Sequence, residues 1–316
     1  MDRDGKAAYR PPYSTAFHGF LVLAPLVISL LVGVDSMSDA VYAAAQCVER
    51  RIWAGEFPCF SWRGDSVLTS PLFDGVLLLL ALSGVPTPWA ALVLSALGWS
   101  VAALVLHRVG RSLGLPIAGV ATATLVAIGP PVITALGTPV SWTVAFAWLA
   151  LAATLKRRRR ASALAVALML GTHLSLGTLI LALGLLLYAW VRAHAVPRGL
   201  TVAIAAVLVT WIVLVSRGWI QLSRPALSLD VWTDHIGRLA GESELYWLGL
   251  PLVFAGITVL KRRSPWTAAG LVWLLVLALD GGDVAVALVD TLGLALTGVG
   301  IAGLVRWLRR GRYVEL

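Results

Sequence analysis

Long uncharged apolar runs, separated by short polar or basic turns, set the pattern of this chain from end to end. Residues 17–34 form the first run. Residues 89–107, 115–135, 140–155, 200–215, 247–260, 266–279 and 285–305 repeat it. At about 1.5 Å per residue, runs of this kind cross most or all of a hydrocarbon core about 30 Å thick. Residues 161–190 are too long for one span and hold Gly171, Thr172, His173 and Ser175 at their middle, which predicts two helices meeting there. Residues 69–82 are apolar but short, bounded by Pro71 and a Gly/Pro turn over 84–88. A segment this short makes a poor span and a better re-entrant or interfacial helix. The predicted fold class is an all-α polytopic integral membrane protein, with about ten transmembrane helices plus that re-entrant or interfacial helix. It forms a single transmembrane domain over 1–316, with outer loops at 35–88 and 216–246. The alternating ten-residue strands of a membrane β-barrel are absent from the sequence.

Composition agrees with the pattern. Hydrophobic residues make up 59% of the chain and charged residues 13%, against about a quarter charged in soluble domains. The formal charge of +9 is distributed in a telling way. Lys and Arg gather at the ends of apolar runs, at 108–111, 156–160, 261–263 and 306–312, as they do in cytoplasmic loops. A nucleic-acid groove would interleave basic and aromatic residues on one surface, so no nucleic-acid partner is expected. With both termini in the cytoplasm, the inner segments collect 19 of the 25 Lys and Arg but three of the 16 acids. Making 69–82 a full span would move Arg108 and Arg111 outside and shift every later loop. The charge asymmetry therefore favours the re-entrant reading. Residues 17–34 lack the shorter core and small-residue cleavage site of a signal peptide, so they read as a retained first span.

Candidate chemistry concentrates in the longest polar interval, residues 34–82. Asp35 and Asp39 follow the first span and lie one helical turn apart. The chain's two cysteines, Cys47 and Cys59, fall in the same outer interval, where a disulfide is permitted; two reduced cysteines at a membrane interface are the alternative. His173 is the one ionisable group expected well inside the outer half of the membrane. Such groups are costly and tend to be functional, although a neutral histidine bonded to Thr172 or Ser175 would satisfy the same position. The second outer loop places Arg217, Arg224, Asp234, His235 and Arg238 among Trp219, Trp232 and Trp247. Such a set suits lipid-phosphate and sugar contacts and equally suits an ordinary aromatic belt. Asp283 and Asp290, seven apart, share a helix face.

The order of short motifs then resembles a known family. Asp39-Ala40, Gly55, Gly64-Asp65 and Thr69-Ser70-Pro71-Leu72 follow the first run. H-R-V-G-R-S-L-G at 107–114 and A-I-G-P-P-V-I-T-A-L-G at 127–137 come next. Across residues 17–195 this resembles the GT-C superfamily of polyprenyl-phosphate-sugar glycosyltransferases, above all its bacterial arabinosyl- and mannosyltransferase branch. The resemblance implies a transferase moving a sugar from a polyprenyl-phosphate donor to a cell-envelope acceptor on the outer face of the cytoplasmic membrane. It implies Asp39 as general base and Asp35 as helper or ligand of a divalent metal, with His173, Arg217, Arg224, His235 and Trp62 as substrate contacts. Such chemistry needs a carboxylate near the acceptor hydroxyl and hydrogen-bonding or cationic groups on the departing phosphate. Residues 137–141 hold no acid where the family usually has one. A non-catalytic relative, acting as an envelope-lipid transporter or scaffold, is the second function class. No Walker loop, Rossmann fingerprint, Cys/His metal cluster or G-x-S-x-G is present, which argues against a soluble nucleotide-sugar site.

Overall fold

In a computed structural model of the chain, the described residues are 13–34, 70–112, 115–129, 132, 136–173, 176–193, 197–216 and 283–311. Among them every regular element is a helix. These are α1 (Tyr13–Val32), α2 (Pro71–Leu82), α3 (Thr87–Ser112), α4 (Pro116–Ile128) and α5 (Val140–Leu155). They continue with α6 (Arg159–Thr172), α7 (Leu176–Ala193), α8 (Arg198–Ser216) and α9 (Asp283–Gly311). Three contain windows long and apolar enough to cross a membrane: Thr15–Val32, Thr87–Arg111 and Asp290–Leu308. The expected spans at 247–260 and 266–279 lie outside the described residues.

Local chemistry sets the boundaries. Proline stands at the first helical position of both α2 and α4, where its missing N–H costs nothing and its fixed φ suits a helix. The run expected to continue to residue 135 stops as α4 at Ile128. Gly129 is extended (φ −82°, ψ 171°), as a residue before Pro130 prefers. Gly33 (φ 77°) ends α1, its N–H bonding the Ser29 carbonyl at 2.9 Å. Residues 161–190 do divide, into α6 and α7. At the turn between α5 and α6, Arg157 takes the left-handed conformation (φ 56°). The Arg158 N–H reaches back to the Ala153 carbonyl at 2.9 Å, a closure glycine makes at lower cost.

Helix packing rests on small residues. Ala102, Ala103, Ala123, Ala127, Ala145, Ala147, Ala150, Ala165 and Ala182 are buried in the main core with Trp99, Met169 and Leu170. The backbones of α3 and α4 touch where Gly110 faces Gly119, and a Cβ on Gly119 would sit 2.7 Å from the His107 carbonyl oxygen. Gly98 lets α5 approach α3 at Ser141, and Gly298 lets α9 approach α4 beside the Ala118 carbonyl. Large apolar side chains point outward instead: Leu31, Leu79, Leu164, Val202 and Ile212 are all exposed. Small residues inside and bulky ones outside are what a bundle in lipid requires, since apolar solvent offers no hydrophobic drive between helices.

Neighbour contacts orient the helices. Early α1 meets late α3 at Phe17 and His107, so these two run antiparallel. The Trp142 indole of α5 donates to the Leu94 carbonyl at 2.8 Å, which sets α5 and α3 side by side from the same end. The Thr154 and Ser162 hydroxyls bond at 2.6 Å across the α5–α6 hairpin. Every Lys and Arg among the described residues then falls at one end, with Arg108, Arg111, 156–160, Arg192, Arg198, Arg306, Arg309 and Arg310. Asp74, Asp283 and Asp290, the acids among the described residues, belong to the opposite half.

Two substitutions test this packing. Gly119→Ala should lower stability by about 1–3 kcal/mol, because backbone, not a movable side chain, meets the new methyl. Gly19→Ala, with open space around it, should cost nothing; the check is thermal unfolding of both variants in detergent. Arg157→Gly should raise the melting temperature, by the equivalent of about 1 kcal/mol.

Candidate functional site

The candidate site is built from the chain segments that converge at the acid-bearing end. There α1 gives way at Gly33, and Val32 and Val34 join an apolar cluster with the buried Phe73, Leu77, Ala90, Ala91, Leu92 and Leu136. Asp35 is the next residue in the chain, so the backbone entering the acidic interval starts from this cluster. In the same cluster stand the N-terminal part of α3 and Trp142 of α5.

Helix α2 occupies this end. Its 12 residues rise about 18 Å, well short of a full hydrocarbon core. Ser70 stands at its N-cap position, 2% exposed, and makes no side-chain cap. Pro71 begins the helix, and Leu72 packs against α6, where a Cβ on Gly171 would lie 2.9 Å from the Leu72 Cδ1. The same helix buries Phe73 and Leu77 beside the end of α1. Helix α2 therefore packs on the end of the sixth helix and shares an apolar cluster with the end of the first.

At that sixth-helix end the chain opens. Thr172 is the last helical residue, and His173 is extended (φ −151°, ψ 122°) while its N–H still bonds the Met169 carbonyl at 3.0 Å. The last carbonyls of a helix lack partners in the ladder, and in an apolar setting each must find one. Here the Trp211 indole of α8 donates to the Leu170 carbonyl at 3.0 Å. The Thr178 hydroxyl donates to the His173 carbonyl at 3.1 Å, and the Thr172 hydroxyl to Leu168 at 2.6 Å. His173 is partly buried at a backbone break bridged by Thr178 of α7 and Trp211 of α8. An imidazole so placed can give or take a hydrogen bond at the acid-bearing end.

Of the residues singled out from sequence, Asp35, Asp39, Cys47, Cys59, Trp62, Arg217, Arg224 and His235 lie outside the described residues. The segments flanking Asp35 and His173 meet at one end through α2. Among the described residues, no three His, Cys, Asp or Glu side chains gather as a metal site would require, and the expected metal ligand Asp35 is not among them. Asp283 begins α9, and Asp290 lies two turns further on. The buried Oδ1 of Asp290 has no hydrogen-bond partner among the described residues, one residue from the contact in which the Trp148 indole donates to the Thr291 hydroxyl at 3.2 Å.

Sequence reading did not find Trp211, which sits in an uncharged run with no local sign of a polar duty. Nor did it find the pairing of His18 with His107, whose rings lie 5.4 Å apart at the basic end. A histidine near each end of two antiparallel helices was the available signal; only the register of α1 on α3 turns it into a pair.

The break yields a prediction. Trp211→Phe leaves the Leu170 carbonyl without its donor and removes one ring from a buried position, so it should cost at least about 1–3 kcal/mol of stability. Trp190→Phe, at an exposed position, should change little; thermal unfolding of both variants in detergent is the check.

No protein-family model, no curated protein and no solved structure matches this chain, so its own residues carry the functional argument.

Proposed function

We propose that the chain is a GT-C-type membrane glycosyltransferase of about ten spans that takes a sugar from a polyprenyl-phosphate carrier and transfers it to a cell-envelope acceptor. The supporting observation is the convergence of three segments at one end. The chain leading to Asp35 and Asp39, the Ser70-Pro71-Leu72 helix start and the open backbone at His173 all meet there. The basic residues of the other end fit the cytoplasmic side, which supports an outer-face position for the converging end.

The chemistry follows from what the transfer needs. The acceptor hydroxyl oxygen attacks the anomeric carbon while its proton passes to the Asp39 carboxylate, and the bond from that carbon to the phosphate oxygen breaks. The electron pair leaves with the polyprenyl phosphate. A positioned carboxylate of this kind contributes about 10²–10⁴ in rate. Charge grows on the departing phosphate, so groups that hydrogen-bond its oxygens favour the transition state over the bound donor. His173 supplies one such group, joined by Arg217, Arg224 and His235, while Trp62 offers an aromatic face to the sugar. Asp35 would steady the base or hold a divalent ion.

The purified chain, given labelled polyprenyl-phosphate sugars and membrane acceptors, should show transfer that falls by about 10²–10⁴ in Asp39→Ala. Turnover that survives this change rejects Asp39 as the base. His173→Ala should lower kcat/KM for the lipid donor by about tenfold to a hundredfold, the weight of one hydrogen bond to a charged group. Absence of turnover with every lipid donor, together with substrate-dependent lipid movement in vesicles, would replace the enzyme with a transporter.

A further inference from the structure

At the basic end of the bundle, one turn departs from the local rules the rest of the chain keeps. Lys156, Arg157, Arg158, Arg159 and Arg160 follow one another between α5 and α6, and all five residues are exposed. Arg157 holds the left-handed backbone conformation (φ 56°), which glycine adopts at lower cost. Arg159 and Arg160 open α6, whose first turn holds no acid, so two cations stand at the positive end of the helix dipole. Each choice costs stability locally, and such departures point to a task for the side chains themselves. Five adjacent cations also outnumber Asp2, Asp4 and Glu315, the acids the sequence assigns to the same side. The turn therefore keeps positive charge whatever those acids meet.

Helix α8 puts a further cation beside this turn. It packs on α6, and the Trp211 indole on the Leu170 carbonyl fixes the register of the two. Both helices start from the basic end. Arg160 lies ten residues before Leu170 and Arg198 thirteen before Trp211, so the two exposed cations stand within about 5 Å of the same height. Four residues further along, each helix turns a bulky apolar side chain outward on the same face: Leu164 is 61% exposed and Val202 66%. A cation one turn from an outward apolar group marks the level where water gives way to hydrocarbon. Here the arrangement occurs twice, on neighbouring helices at one height. A soluble acidic partner would meet the guanidiniums but has no use for the apolar pair beside them. A phospholipid with an anionic head uses both, its phosphate oxygens matching the guanidinium fork and its acyl chains the leucine and valine.

We propose that Arg157 and Arg160 of the α5–α6 turn, with Arg198 at the start of α8, seat the head of an anionic phospholipid whose acyl chains lie against Leu164 and Val202. The site is separate from the proposed sugar-transfer end and does not rest on that reading. It gives the left-handed arginine a reason: the bound head group offsets a local cost that the turn otherwise carries alone.

The full chain would be reconstituted in nanodiscs of phosphatidylcholine with phosphatidylglycerol, and the lipid retained after detergent extraction counted by native mass spectrometry. Wild type should keep phosphatidylglycerol in preference to phosphatidylcholine. Arg160→Ala and Arg198→Ala should each reduce that retention about fivefold, the weight of one basic side chain at an anionic surface. Arg157→Gly should reduce it by about the same factor while melting higher, since glycine relieves the backbone and removes the cation together. A purely structural role for Arg157 would not give those opposite signs. Arg108→Ala, exposed at the same end but on α3, should leave retention unchanged. Equal loss in Arg108→Ala would reduce the effect to general attraction by a basic surface and overturn the site. Unchanged retention in Arg160→Ala and Arg198→Ala, or equal retention of the two lipids by wild type, would overturn it as well. Displacement of the lipid by inorganic phosphate alone would make it a site for a soluble anion, against the lipid assignment.

Discussion

Everything in this structure depends on how closely two helix backbones can approach. In an apolar solvent, burying one more leucine gains little, so helices hold together by dispersion and by hydrogen bonds across close contacts. The touching backbones at Gly110 and Gly119 bring α4 onto α3, Gly98 admits α5, and Gly298 admits α9. The alanine-rich core follows from the same requirement. So does the outward placement of Leu31, Leu79 and Ile212, which a water-soluble fold would hide.

The second constraint is backbone satisfaction. A helix that stops within apolar surroundings leaves carbonyls that something must bond. At the end of α6 that need is met by Trp211 and Thr178, which hold an extended residue, His173, in place without continuing the ladder. An opening so maintained is a defined polar position amid apolar packing. The chemistry proposed for the outer end uses this property, with α2 linking the break to the chain that enters the acidic interval.

The two ends divide the electrostatics. The described basic residues collect at one end, and the described acids in the other half. Positive flanks resist translocation, so this sorting supports the orientation proposed above.

Much of this was legible in the chain itself. Uncharged run length predicted helices, and the described elements are helices; Pro71 and Pro116 marked two starts, and the polar residues at 171–175 marked the division of a long run. Gly129 and Pro130 also signalled a stop, which the longer expectation of 115–135 overran because hydropathy alone does not register backbone conformation. Run length and charge are properties of neighbouring residues, so periodicity and composition report them directly. Register between helices is different. The pairing of His18 with His107, the Trp211 indole on the Leu170 carbonyl and the contact of Leu72 with Gly171 join residues tens of positions apart. Only the small-residue contacts that fix how far one helix slides along another decide them. The sequence by itself determined that the chain is a bundle of apolar helices with a polar break at His173. Tertiary structure alone decided what that break faces, because sliding one helix by a turn would change every partner while leaving the local pattern intact.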